Sequence, residues 1–437
     1  MAKKTFVGYG HRLGEPGNVS KIHLKDTDRK GHLFCFGTTR IGKTKLIELM
    51  VEQDIRKGYS VVVFDPKNDS HLFSKIAQVA HEENRQDDLC LVTPIFPRCS
   101  ARIDPLAYYY MPEELISHVV SGIRAKEEFF INIAYETTFV IVQSLLFFGK
   151  IKHEKVTLNF NAIKERAAYK DLKGLEEQLR DYENYPEVAE ILGSLRQILA
   201  CPEDFFGKIS SSLRTVLTSL SAGSVGAIIG RAKANSFIKR LEGGGKVILV
   251  IQTGRLLTRM TANIVARVLL SMIQSFVGRV YLSGERINPP LCIYMDEAAN
   301  LFYMGVEDLF NKSGGAGVWV HAFTQSIADI EAEIGPANAR MILDNTNTKI
   351  FMRVNDTETA EYIADYSGLA RRFSPFLSLG GGITVREIEE PKVRPEDALN
   401  LQERDFYLFS FSGAFRGKVA HVKPPYLRVR YPRLEVV

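Results

Sequence analysis

Gly37-Thr38-Thr39-Arg40-Ile41-Gly42-Lys43-Thr44 constrains the fold more than any other stretch, because of what flanks it. Before it lies Leu33–Phe36, apolar throughout and short enough for a buried parallel strand. After it, from near Lys43, apolar residues recur at helical spacing across Thr44–Lys57. The eight residues match G-x-x-x-x-G-K-[ST] in full, with the strand before and the helix after that the motif requires. Gly37 and Gly42 free the backbone to wrap N–H groups around a β-phosphate, in a concavity backed by the helix N-terminus. Lys43 then neutralises β- and γ-phosphate charge, and the Thr44 hydroxyl ligates Mg2+. The candidate nucleotide-binding set is Gly37, Thr38, Thr39, Arg40, Ile41, Gly42, Lys43, Thr44 and Lys45. A chance match would rarely fall at a strand-to-helix junction.

The surrounding chain repeats the same alternation. Leu33–Phe36, Ser60–Phe64 and Leu89–Val92 read as buried strands, separated by helical patterns at Thr44–Lys57 and Ser70–Glu83. This is a βαβαβ opening, the sign of a parallel sheet covered by helices. From Pro112 to about Arg240 strand signals stop, and Glu113–Phe148, Leu172–Tyr182, Pro186–Leu199 and Ser210–Leu220 carry helical spacing. After a hinge at Glu242-Gly243-Gly244-Gly245, Lys246–Ile251, Leu291–Met295, Val318–Phe323 and Lys349–Arg353 read as four further strands, with helices at Met260–Phe276, Ser326–Glu333 and Thr357–Tyr366. Beyond Gly380-Gly381-Gly382, the runs Ile383–Ile388, Phe406–Phe411 and Lys418–Val422 predict a short β-rich end. The expected division is 1–108, a first part of the nucleotide-binding domain; 109–241, an all-α insertion between the third and fourth strands; and 242–437, the remainder.

Composition excludes alternatives more than it selects. At 45% hydrophobic and 24% charged residues, the 437-residue chain is neither disordered nor fibrous. Five scattered cysteines, none spaced C-x-x-C, suggest neither a disulfide framework nor a zinc site. The net charge of +5 permits a phosphate-rich partner without demanding one. The most apolar windows, Phe139–Phe148 and Ile264–Val280, are interrupted by polar residues, so no membrane span is expected.

Leu291–Met295 ends in Asp296 and Glu297, at the carboxyl end of a strand, where open α/β sheets place their ligands. Asp296 is the candidate for the metal and Glu297 for the general base that positions the attacking water. The alternative is a pair of helix-capping acids. Gln325, after the next strand, is the candidate sensor of the γ-phosphate or attacking water; alternatively Ser326 caps a helix while Gln325 faces solvent. Arg353 is placed to reach a neighbouring subunit's nucleotide as an arginine finger, or else is a structural residue paired with Asp356 or Glu358.

With these residues in view, the sequence resembles the TraG/TraD-type coupling ATPases of bacterial conjugation, within the HerA/FtsK motor superfamily. Val61–Asp69, containing Asp65-Pro66-Lys67-Asn68-Asp69, resembles that family's strand followed by D-P-K-G-D. Arg102-Ile103-Asp104-Pro105-Leu106 resembles its N-P-L element before an inserted all-α domain. Asn345–Gly368 resembles its late strand and helix, and Pro395–Leu401 the end of its motor domain. Two departures stand out. The family's K-G-R-x-x-G stretch is here Lys312-Ser313-Gly314-Gly315-Ala316-Gly317, which moves the trans cation to Arg353 with Lys312 as the weaker substitute. The family usually begins with paired transmembrane helices, whereas 36 residues precede this phosphate loop, so an anchor is either removed or naturally absent.

The resemblance implies an α/β, RecA-like P-loop NTPase with a mainly parallel sheet and an inserted all-α domain. It further implies a hexameric ring that hydrolyses ATP with Mg2+ through Lys43, Thr44, Asp296, Glu297 and Gln325, with DNA in its channel. The expected partners are a relaxase complex and a type IV secretion channel, and the expected location is the cytoplasmic face of the bacterial inner membrane. Arg255, Arg259, Lys312, Arg371 and Arg372 are basic candidates for the channel, each with a solvated surface charge as the plainer reading. Two other functions compete: a DNA translocase of the same superfamily in another process, and a substrate-receptor platform in which nucleotide is only an assembly switch.

Overall fold

The computed structural model describes residues 3–432, apart from 16, 125–127, 155, 157, 233 and 378–382. Gly380–Gly382, taken above as a break, therefore lies outside the described residues.

Two strands that the sequence did not announce come first: β1 (Lys4–Arg12) and β2 (Ser20–Lys25) form an antiparallel hairpin. The short helix α1 (Asp26–Lys30) leads into β3 (Leu33–Phe36), α2 (Lys43–Arg56), β4 (Ser60–Phe64), α3 (Ser70–Glu82) and β5 (Leu89–Val92). A helical block follows: α4 (Pro112–Ser121), α5 (Glu128–Lys152), α6 (Phe160–Lys164), α7 (Tyr169–Arg180), α8 (Pro186–Leu199), α9 (Glu203–Ile209), α10 (Ser211–Ser221), α11 (Gly223–Val225) and α12 (Ser236–Glu242). Glu113–Phe148, read as one helical stretch, is two helices.

The chain then returns to the sheet with β6 (Ile248–Ile251), α13 (Arg259–Leu282), β7 (Leu291–Met295), α14 (Glu307–Lys312), β8 (Val318–Thr324), α15 (Ile327–Asp344), β9 (Thr348–Phe351) and α16 (Thr357–Ser367). A separate two-stranded hairpin, β10 (Leu369–Leu377) with β11 (Ile383–Pro391), precedes α17 (Pro395–Leu399), β12 (Asp405–Ser410) and β13 (Gly413–Val419). Because β1 and β2 come first, the helical block lies between the fifth and sixth strands rather than the third and fourth. Of the run expected at Lys418–Val422 only Lys418 and Val419 belong to a strand, β13, which begins five residues earlier and ends three earlier.

Eleven strands form one mixed sheet in the order β2-β1-β13-β12-β9-β3-β8-β7-β4-β6-β5. From β9 to β5 every pairing is parallel, and from β9 outward to β2 every pairing is antiparallel. The parallel strands are apolar on both faces because both faces are covered. Alternate residues divide between two cores: Phe34, Phe36, Val62 and Phe64 face the helical block and α13, whereas Leu33, Cys35, Val61 and Val63 face α2 and α3.

Against the expectation of no span, two described helices are long and apolar enough to cross a membrane, by length and composition: α5 and α13. The window at Phe139–Phe148 is short because α5 begins eleven residues before it, whereas α13 extends its window by only five residues and two. Their surroundings differ, since 72% of the apolar window of α13 is buried against 39% for α5. An all-round apolar helix at the centre of a large core needs no membrane to account for it.

Candidate functional site

The site is assembled at the carboxyl ends of β3, β4, β6, β7 and β8. β3 lies between β8 and β9, and both neighbours pin the start of the phosphate loop: Gly37 N donates to Thr324 O at 3.1 Å and Thr38 N to Arg353 O at 2.7 Å. Gly42 caps α2 at φ 112°, a left-handed conformation that glycine adopts without steric cost. A Cβ there would also meet Arg404 Cγ at 3.0 Å, because the segment before β12 runs over the loop, with Arg404 N donating to Ile41 O at 2.9 Å. Thr38, Thr39 and Arg40 are at least partly open to solvent at the loop crest, and Arg40 too has positive φ.

Lys43 is 4% exposed, and its Nζ donates to the loop carbonyls of Gly37 and Thr38, the latter at 2.9 Å. Burial lowers its pKa, which nearby Glu297 partly restores. Thr44 lies one residue on, in the first turn of α2, and Lys45 donates to Glu48 at 2.7 Å.

Asp296 and Glu297 leave β7 beside β4, and Asp296 N donates to Phe64 O at 3.0 Å. Glu297 begins a short 3-10 turn yet makes no side-chain cap, which removes the capping alternative. Its carboxylate instead faces inward: Gln325 Nε2 donates to Oε2 at 3.2 Å and Lys67 Nζ pairs with Oε1 at 3.0 Å. Lys67 also donates to Asp296 Oδ2 at 2.9 Å, so one ammonium bridges both acids. Burial alone would raise the Glu297 pKa, but Lys67, Lys43 and the Gln325 hydrogen bond hold it below the usual carboxylate value. Ser326 does cap α15 by accepting from Asp329 N at 3.2 Å, while the preceding Gln325 turns to the acid. Of the alternative reading of that turn, the Ser326 cap is present, whereas Gln325 is half-buried against Glu297 rather than facing solvent.

Asp65, at the end of β4, is the further acid of the cluster. Burial, with Asp296 nearby, lifts its pKa to about 6. It accepts from Lys67 N at 3.1 Å, Asp69 N at 2.7 Å and Gln252 Nε2 at 2.8 Å. Neither Lys67 nor Asp65 was singled out as a site residue from the sequence; the only signal was the D-P-K run itself, whose side-chain partners Gln252 and Asp296 lie 187 and 229 residues away.

Arg353 lies two residues beyond β9, not at its end, with its backbone on the phosphate loop and its side chain exposed. Among the described ion pairs it has none with Asp356 or Glu358; Asp356 instead caps α16, accepting from Thr359 N at 2.9 Å. Lys312 pairs with Asp308 at 3.1 Å and Arg371 with Glu387 at 3.5 Å, while the Arg372 side chain lies outside the described set. Arg255 and the exposed Arg259 flank Leu256 and Leu257, which are 92% and 64% exposed, on the loop after β6. The described residues hold no His/Cys/Asp/Glu group of three or more arranged for a metal ion; a hydroxyl at Thr44 and a carboxylate at Asp296 are the oxygen donors that would hold Mg2+ at a phosphate-loop site.

Residues 290–373 match the family described as the TraM recognition site of TraD and TraG. That segment holds Asp296, Glu297, Gln325 and Arg353. No curated protein sequence matches the chain. Among solved structures, the unbound bacterial conjugative coupling protein TrwBdeltaN70 has a TM-score of 0.70 and 16% identity, covering 95% of this chain and 93% of its own. Plasmid coupling protein TrwB in complex with ADP and Mg2+ has a TM-score of 0.68 and 16% identity, covering 98% and 99%. VirB4 of Thermoanaerobacter pseudethanolicus follows at 0.55 and 12% identity, covering 95% and 96%. Residues 290–373 thus match a segment of the TraD and TraG family, and the chain as a whole shares the fold of the TrwB coupling protein.

Proposed function

We propose that this chain is an ATP-hydrolysing motor that couples a relaxase-bound DNA to a type IV secretion channel in conjugation. One observation carries the reading: a single cluster joins the phosphate-loop Lys43, the acids Asp296 and Glu297, and Gln325 donating to Glu297 at 3.2 Å. Such a set positions water against a γ-phosphate, which a receptor platform has no need of. TrwB was solved with ADP and Mg2+ and with a non-hydrolysable ATP analogue, which supports ATP and Mg2+ as the ligands here.

In this reading Gly37–Lys45 hold the phosphates, and Thr44 and Asp296 would hold Mg2+, which would supply neutralisation of phosphate charge. Glu297 accepts the proton of the attacking water. Gln325 fixes the carboxylate that does so and senses its change of partner after hydrolysis. Arg353, exposed at the rim of the loop, completes the site of the next subunit in a hexameric ring. DNA occupies the ring channel, residues 109–241 act as the inserted domain that receives the relaxase complex, and the ring works at the cytoplasmic face of the inner membrane.

The test is ATPase rate with and without single- and double-stranded DNA. Lys43→Ala is expected to lose nucleotide binding and turnover, and Glu297→Gln to keep binding while losing about 100-fold or more in kcat, the worth of a positioned base. Near-normal DNA-stimulated turnover in either variant would overturn the assignment. A wild-type protein that binds relaxase but is inert toward ATP would favour the receptor platform.

A further inference from the structure

The C-terminal segment after β13 returns across α3 to the back of the site. Tyr426 N donates to Gln78 Oε1 at 2.9 Å, and Val429 N to Ser74 Oγ at 3.0 Å. These two contacts lead the chain to Tyr431, whose ring stacks on Phe96 at 4.5 Å between centroids with planes 3° apart, and on Phe73 at 6.2 Å. The Tyr431 hydroxyl donates to Oε1 of the fully buried Gln252. The same amide donates through Nε2 to Asp65 Oδ2 at 2.8 Å.

The direction of this chain is set by chemistry. A carboxylate can only accept, so Gln252 must present its NH2 to Asp65 and its carbonyl to the phenol, which must donate. Asp65 accepts in turn from the backbone N–H groups of Lys67 and Asp69, at 3.1 and 2.7 Å, and so fixes the turn that carries Lys67. Lys67 Nζ then reaches Asp296 Oδ2 at 2.9 Å and Glu297 Oε1 at 3.0 Å. Each link has an identified partner on the next, from the tail to both acids.

We propose that Tyr431 is a positioning residue for the acidic pair, acting through Gln252, Asp65 and Lys67, so that the C-terminal strap sets where the Lys67 ammonium stands between Asp296 and Glu297. This rests on Asp296 as a metal ligand and Glu297 as the base. Glu297 has both oxygens engaged, Oε1 by Lys67 and Oε2 by Gln325. A displacement of the Lys67 turn therefore re-aims the base and frees Asp296 for the metal. Loss of the phenol hydroxyl alone removes one hydrogen bond from the far end of the chain, while the ring keeps its stack on Phe96.

The experiment uses Tyr431→Phe, Lys67→Met, their double variant and Lys67→Arg in the full chain. The first readout is the Mg2+ dependence of binding of a ribose-labelled fluorescent ADP. Removing a cation beside Asp296 is expected to lower the Mg2+ midpoint about three- to tenfold in Lys67→Met. Tyr431→Phe is expected to move it in the same direction by about twofold or more, and Lys67→Arg to stay within about twofold of wild type. The double variant should match Lys67→Met alone, because both changes act through one side chain. The second readout is kcat against KM: Tyr431→Phe should lose about three- to tenfold in kcat with KM unchanged, the factor for one neutral hydrogen bond. A Tyr431→Phe midpoint at the wild-type value, or effects that multiply in the double variant, would overturn the proposal. The expected midpoint shifts in the variants, together with a wild type that shows no ATP turnover, would count against the hydrolytic reading and leave the positioning chain standing.

Discussion

Glu297 holds φ 52° and ψ 48°, a left-handed conformation that a non-glycine residue keeps only where its surroundings determine it. Here Asp296 Oδ1 accepts from its backbone N–H at 3.0 Å, and Lys67 and Gln325 grip its carboxylate. Strain and the proposed general base thus coincide on one residue. A second residue-scale cluster is structural. Arg29, fully buried, donates to both oxygens of Asp54 as well as to Thr5 at 2.8 Å, His321 at 3.1 Å and the Tyr294 hydroxyl at 3.0 Å. Burial alone would raise the Asp54 pKa, but Arg29 takes it down to about 2. Asp54→Ala would strand a buried guanidinium, at an expected cost of about 3–5 kcal/mol in urea unfolding, whereas removing the surface partner Glu52 of Arg56 should cost under about 1 kcal/mol. The acids and the phosphate loop were legible because each is a contiguous motif. Arg29 and Lys67 were not, because an isolated basic residue is informative only once its partner is known.

Between elements, the seam that matters joins the helical block to the sheet. α4 lies along α13, and His118 Nδ1 shares a hydrogen bond with Ser271 Oγ at 2.9 Å across it. Arg279 on α13 also pairs with Glu114 on α4 at 2.5 Å and with Glu242 at the end of α12 at 2.8 Å. Burial, with Arg279 beside it, pushes the His118 pKa down to about 3. Since the unfolded chain binds a proton near pH 6.5 and the folded one only near 3, stability is full above about 6.5 and falls as pH drops toward 3. His32, held by burial at about 4, acts in the same direction. His118→Gln should flatten the fall in melting temperature between pH 6.5 and 4 relative to the parent, and an unchanged slope would mean that the seam does not sense acid. At this scale the sequence was a good guide to which elements exist: Pro186–Leu199 is a helix with the expected bounds, and β3, β4, β5 and β7 fall on their apolar runs. It was a poor guide where periodicity is weak. β1 carries glycines at 8 and 10 because β13 passes so close that a Cβ would meet its carbonyls at 2.1 Å, and those glycines erase the apolar alternation that marks a strand.

For the whole molecule, the parallel half of the sheet carries the site and the antiparallel half closes the chain on itself, with β1 beside β13. The loop before β12 and the strap after β13 both reach the site from that closing half. Arg353, exposed beside the phosphate loop, is expected to act between copies: Arg353→Ala should lose turnover while binding nucleotide, and mixing it with Lys43→Ala should restore part of the ATPase activity. No restoration would leave Arg353 acting on its own chain's nucleotide. By itself the sequence determined the strand–loop–helix unit, the acidic strand end and the helical interruption, since each is local and written in spacing along the chain. Only the tertiary structure decided that Lys67 bridges Asp296 and Glu297 and that Tyr431 reaches Gln252 and Asp65. Those partners depend on strand order, which brings β4, β6 and β7 side by side, and strand order leaves no mark in the spacing of apolar residues within any one strand.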